Sequence, residues 1–201
     1  MKDYICPCCG VKKTFDDAEV PGVEEQAEIF CQPCVPLLST HSIPSATPVV
    51  VLDASEAFDL LSDKEKMYAY WMGQASWKGS LICLTQCSPE SMAIFTLLLA
   101  AFSAQPIEEL LEKARGAGFE QCEIDDLLMY SAAFFNNMGN YKSFGDTKFV
   151  PLTPKERFRA FLLCSSLDAT VVHKLFDDVE TRMYSLQPRH RQVQKSFYLL
   201  P

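Results

Sequence analysis

Helix-start signals recur along this chain, and the apolar stripes behind them commit most of it to α-helix. Ser62-Asp63-Lys64-Glu65 has the form of a capping box, with a serine before the first turn and a glutamate placed to reach back to it. The helix it opens sets Met67, Trp71 and Ala75 on one face, with Tyr68 and Met72 beside them. Ser88-Pro89-Glu90 starts another helix, with serine as cap and proline in the first turn. Thr153-Pro154-Lys155-Glu156 repeats the capping pattern ahead of Phe158, Phe161 and Leu162. Between these, Ser55 to Leu61 forms a short helix, and Pro106 opens one that ends near Gly116 or Gly118. Two longer stripes follow helical spacing: Ile124, Leu127, Leu128, Ser131, Phe134, Phe135 and Met138, then Val172, Leu175, Phe176, Val179, Met183 and Leu186. Pro188 stops the last of them.

One segment breaks this pattern. From Asn136 to Pro151 a helix closes, passes Gly139 and Gly145, and continues with alternating side chains, so one or two short strands are expected around residues 141–150. The expected fold class is therefore mainly α with a short β segment. A helix end followed by an exposed strand is a common location for ligand contacts.

Composition narrows the partners. Of 201 residues, 48% are apolar, enough for a substantial core, and the net charge of −8 with no dense basic run argues against nucleic acid or an anionic membrane. The greasiest run, Ala93 to Phe102, has about half the length needed to span a bilayer and reads as a buried helix. Met-Lys-Asp-Tyr-Ile-Cys-Pro at the start lacks the apolar core of a signal peptide. With nine cysteines beside it, the expectation is a soluble, cytoplasmic protein whose thiols serve packing or metal binding.

Residues 1–35 hold the densest cysteine cluster. Cys6, Cys9, Cys31 and Cys34 form two Cys-x-x-Cys knuckles separated by twenty-one residues, the spacing of a small zinc ribbon. Gly10 and Pro33 suit the tight turns such knuckles need, although Cys8 makes the first knuckle ambiguous. A closed four-cysteine site leaves no open position for substrate, so this zinc would be structural. Two other readings stand beside it: incidental cysteines in a tail, and a thioredoxin-like redox pair. Residues 36–48, with Pro36, Pro44 and Pro48 among serines and threonines, read as a semi-extended linker.

From roughly residue 52 to 192 the chain resembles the dipeptidyl peptidase III family of zinc metallopeptidases. The resemblance is carried by Glu56-Ala57-Phe58-Asp59-Leu60-Leu61, by Tyr68-Ala69-Tyr70 and by Gln86-Cys87-Ser88-Pro89-Glu90-Ser91. The segment from Asn136 to Pro151 is its most specific part, and Pro154-Lys155-Glu156 and Tyr184-Ser185-Leu186-Gln187-Pro188-Arg189 continue it in order. It implies that residues 49–192 are an N-terminal part of the lobe that faces the zinc-bearing lobe across a cleft, leaving 193–201 as a divergent tail. In that reading Phe144 lines a substrate subsite, and Ser143 and Lys142 offer polar contacts to the peptide. Read without the resemblance, Phe144 is a core aromatic, and Asn140 and Gly145 serve turns.

The family's catalytic zinc is held by a His-Glu-x-x-x-His helix and a later glutamate. His41, His173 and His190 are the only histidines here, and none has that neighbourhood, so each reads as an isolated polar residue. Cys83, Cys87, Cys122 and Cys164 read as core thiols, Ser165 and Ser166 have no base nearby in sequence, and Asp125-Asp126 and Asp177-Asp178 fall on polar helix faces. The resemblance therefore implies a peptide-binding lobe of an exopeptidase that releases dipeptides from short peptides, without its catalytic machinery. Its expected partners are short peptides and the missing catalytic lobe or another protein. The alternatives are a non-catalytic interaction or regulatory protein, and a truncated gene product. For the cysteine module, elemental analysis of the purified chain should give one zinc per chain, lost in Cys6→Ser and in Cys34→Ser; a metal-free wild type would reject the ribbon.

Overall fold

In the computed structural model, residues 2–5, 12–15, 35–143, 147–187 and 190 are described. The strands β1 (Lys2–Ile5) and β2 (Lys12–Phe15) pair antiparallel, Lys2 opposite Phe15 and Ile5 opposite Lys12. Helices follow: α1 (Val35–Thr40), α2 (Ser55–Asp59), α3 (Asp63–Cys87), α4 (Ser91–Ser103), α5 (Ile107–Gly116), α6 (Gln121–Asn137), α7 (Lys155–Leu163) and α8 (Ala169–Met183). The mainly α expectation holds. The strands expected at 141–150 reduce to a single antiparallel bridge between Tyr141 and Lys148.

The core is built around α4, which packs on α8, on the C-terminal end of α3 and on α6. Ile94, Leu97, Leu98 and Ala101 are fully buried, which is why this apolar run belongs inside a protein. Among the described residues no single helix is long and apolar enough to cross a membrane. The stripes of α6 and α8 are buried as their spacing requires, through Ile124, Leu127 and Phe134 on one and Val172, Phe176, Val179 and Met183 on the other. Tyr130 stands at the meeting point, edge-on to Phe149 at 5.7 Å and to Phe158 at 5.8 Å. Phe158 in turn stacks on Phe176 at 6.1 Å, joining α7 to α8.

Charged side chains fasten the rim of this core. Arg157 of α7 grips Glu123 of α6 with two hydrogen bonds, Nε to Oε1 at 2.7 Å and Nη2 to Oε2 at 2.6 Å, while its guanidinium lies 3.9 Å from the Phe119 ring centre. Arg159 pairs with Asp177 and Glu180 of α8. Asp177 therefore carries an ion pair on its polar face.

One cap expectation holds and two change, one of them because Glu90 and not Ser88 is the N-cap residue of α4. Glu65 reaches back to the Ser62 N–H at 2.8 Å, as the capping box requires. Thr153 does not cap α7: its hydroxyl is buried with no hydrogen-bond partner in the structure, and Pro154 occupies the N-cap. The core-thiol expectation is corrected for Cys83 and Cys122, which are exposed, while Cys87 and Cys164 are half-buried.

The largest departure lies in α3. Met67, Tyr68, Trp71 and Met72, which spacing groups on one side, are 57%, 68%, 62% and 49% exposed, and Trp77 is 77% exposed. Of this 25-residue helix only Leu84 is buried. Apolar side chains around a helix ordinarily mark one enclosed by other structure. Val49 to Leu52, just upstream, are likewise exposed.

Stability should follow burial. Phe176→Ala, at the α7–α8 contact, is expected to cost about 3–5 kcal/mol in urea unfolding, the usual penalty for emptying a large aromatic site. A loss within about 0.5 kcal/mol, the range of ordinary surface substitutions, would show that α8 does not pack as described.

Candidate functional site

The segment that departs from helix also carries the densest buried polar network among the described residues. Helix α6 ends abruptly because Met138 adopts the left-handed conformation, with φ 50°, and its N–H closes back on Phe134 and Phe135. Gly139 follows at φ 152°. A Cβ there would overlap Cys87 Sγ and come within 3.0 Å of Ser91 Oγ, so glycine is required by both conformation and space. This close approach brings the chain onto the junction between α3 and α4.

From there the backbone makes a narrow loop with two limbs. Lys142 N–H donates to Thr147 O at 2.8 Å, and Phe149 N–H donates to Asn140 O at 3.0 Å. Below the loop sits Glu90, the N-cap residue of α4 and only 6% exposed. Its Oε1 accepts from both limbs: from Asn140 Nδ2 at 3.1 Å and from Lys148 Nζ at 2.9 Å. Asn140 Oδ1 accepts in turn from Ser88 Oγ at 2.9 Å and Ser91 Oγ at 3.2 Å. Lys148, fully buried, also donates to the Arg182 carbonyl at the end of α8, at 2.6 Å. Its own carbonyl accepts from His41 Nδ1 at 2.6 Å, and Val150 N–H donates to the His41 carbonyl.

Burial alone would raise the Glu90 carboxyl, but the Lys148 ammonium beside it, with hydrogen bonds from Lys148 and Asn140, outweighs burial and holds the group below the ordinary carboxylate range. Burial likewise pulls Lys148 below the ordinary lysine value, an effect that Glu90 partly offsets. Glu90 and Lys148 are each other's ion-pair partner, so removing either strands the other in a dry site.

The expected contact residues fall in this loop. Ser143 is exposed, and its N–H and Oγ both donate to Asn137 Oδ1, at 2.8 and 2.9 Å. Lys142 is half-buried and spends its ammonium on the Thr40 carbonyl at 2.9 Å. Phe144 lies outside the described residues, as do Cys6, Cys9, Cys31 and Cys34. Among the described residues no group of three or more His, Cys, Asp or Glu side chains is placed to hold a metal ion. The described part therefore does not fit a catalytic zinc, and no chemical step is assigned to it.

Reading isolated polar histidines is corrected for two of the three. His41 is buried on the Lys148 carbonyl. His190 Nδ1 hydrogen-bonds Ser185 Oγ at 2.7 Å, and its carbonyl accepts from Tyr141 Oη at 2.8 Å. His173 is exposed on α8. Sequence reasoning missed Glu90 and Lys148 as a pair, because nothing local connects positions 58 residues apart. Asn140, taken for a turn residue, is the second buried prop of the loop.

The electrostatics carry a sign. In the unfolded chain Glu90 titrates near the ordinary glutamate value of 4.5, and in the folded protein below it. Between the two the unfolded state holds more protons, so Glu90 contributes stability that is complete above the unfolded value and is lost as pH falls through the folded one. Urea midpoints should drop more steeply between pH 5 and pH 3 in the wild type than in Glu90→Gln; parallel acid limbs would reject the pairing.

No family model matches the chain. Dipeptidyl peptidase 3 of Nematostella vectensis is 44% identical over 158 residues, 76% of this chain and 22% of that protein. The Homo sapiens protein of the same name is 42% identical over 156 residues, with 76% and 21% covered. That of Dictyostelium discoideum is 38% identical over 157 residues, with 78% and 22% covered. The chain thus spans about a fifth of the length of the curated relatives it matches.

Proposed function

We propose that this chain, a member of the dipeptidyl peptidase 3 family through 76% of its length, supplies part of a peptide-binding lobe, with the loop from Asn140 to Val150 as its peptide-facing edge. One observation carries the reading. A loop that leaves Ser143 exposed is braced from beneath by a buried ion pair, a rigid support under a surface position. Phe144 adjoins Ser143 in sequence and in this reading provides the aromatic surface for a substrate side chain, while Ser143 and Lys142 contact peptide backbone. Lys142 would have to release the Thr40 carbonyl to do so.

The activity named for the relatives, removal of dipeptides, is assigned to the assembled peptidase and not to these residues alone. The partner is the zinc-bearing lobe, and the exposed side chains of α3 are the surface by which the lobe joins the rest of such a fold. The N-terminal module is read as a structural zinc ribbon: β1 and β2 pair antiparallel on either side of the first knuckle in sequence, the arrangement a ribbon uses. The compartment proposed is the cytoplasm.

A second reading rests on the same exposed α3 face: a non-catalytic interaction protein that binds another chain through Tyr68, Trp71 and Trp77. Two measurements on one preparation separate the readings. The purified chain is expected to release no dipeptide from a dipeptidyl-coumarin substrate, and to bind the C-terminally labelled peptide Ala-Ala-Phe-Ala-Ala weakly and less well after Phe144→Ala. Hydrolysis by the purified chain would overturn the non-catalytic assignment. A monodisperse monomer in sedimentation that binds no peptide would favour the interaction protein.

A further inference from the structure

We propose that Glu90 and Lys148 are positioning residues for the peptide-facing loop, acting as a two-limbed clamp that fixes where Lys142 and Ser143 stand relative to the helical body. The inference rests on the peptide-lobe reading for its purpose, but its geometry stands independently.

A hydrophobic pair of similar volume would fill the same space without the desolvation cost of two charges. What it could not do is hold both limbs at one point. Glu90 Oε1 takes Asn140 Nδ2 from the outgoing limb and Lys148 Nζ from the returning limb, so a single oxygen fixes their separation. Glu90 is itself the N-cap residue of α4, whose buried face is the centre of the core, and so has little freedom to follow a moving loop. Lys148 carries the restraint onward to the last turn of α8 through the Arg182 carbonyl. Arg182 Nη1, 3.9 Å from Glu90 Oε2, adds positive charge on the other carboxylate oxygen. Among the described residues, two backbone hydrogen bonds cross the loop, Lys142 to Thr147 and Phe149 to Asn140. The clamp adds side-chain restraint to both limbs at one point.

The test is amide hydrogen exchange on the full chain, with peptide binding in parallel. Lys148→Met leaves Glu90 buried and unpaired, so it is compared with Glu90→Gln/Lys148→Met, which removes both charges and relieves that cost. In the double variant the amides of Lys142, Phe149 and Val150 should lose protection by roughly tenfold or more, while those of Leu97, Phe134 and Phe176 keep theirs, because loops and core open separately. The affinity for labelled Ala-Ala-Phe-Ala-Ala should fall with the loop amides. Loop protection restored to the wild-type level in the double variant would overturn the proposal, since the space would then be all that matters. Equal loss in loop and core would also overturn it, showing general stabilisation in place of positioning. Loss confined to the loop, in a wild type that binds no peptide, would sustain the clamp and refute the peptide-lobe reading on which its purpose rests.

Discussion

The organisation of this protein turns on one carboxylate that is not free to be in water. Glu90 lies under the loop at 140–150, and everything around it supplies a donor or positive charge: Asn140 and Lys148 from the loop, and Arg182 from the end of α8. Each of these elements is placed by hydrophobic packing of its own, α4 through Ile94 and Leu97, α8 through Phe176 and Met183. The burial of apolar surface supplies most of the driving force. It does not by itself decide how a non-helical segment crosses the ends of three helices. That is settled by hydrogen bonds whose absence would leave charges stranded, a penalty of about 3–5 kcal/mol when one partner of a buried pair is removed.

The helices were legible because their information is local. Spacing identified the buried faces of α6 and α8, and Pro106 and the glycines near 116 bounded α5 closely. The shared face of α3 was legible for the same reason, but its exposure was not. Periodicity says which residues share a side, not whether anything covers that side, and Trp71 and Met67 are bare in this chain. The polar network was illegible in principle from one sequence. Glu90 resembled a helix start, Asn140 a turn and His41 an unremarkable linker residue, and their meeting depends on separations of 50 and more positions. α1 (Val35–Thr40) overlaps the span read as a linker, and His41 and Ser42 after it are buried, His41 on the Lys148 carbonyl.

The candidate site divides along the same line. Lys142 and Ser143 were indicated by position in a distinctive segment, and the structure puts them at the loop with partners of their own: Thr40 for one, Asn137 for the other. Their supports could not be indicated that way. A surface contact residue needs only an address in the chain, whereas a buried support needs a partner brought to it by folding. The relatives, related at 38–44% identity, extend over about five times the matched length.

Gly139 carries a consequence of a different kind. Because it has no side chain, the thiol of Cys87 lies directly against the loop's entry, with Ser91 on the other side. Burial holds the Cys87 thiol above the ordinary cysteine range, which disfavours the thiolate and makes it a poorer nucleophile. Cys83, one turn earlier on the same helix, is exposed. The two sulfurs therefore offer an internal comparison: an alkylating reagent meets exposed Cys83 readily and half-buried Cys87, against the loop's entry, more slowly.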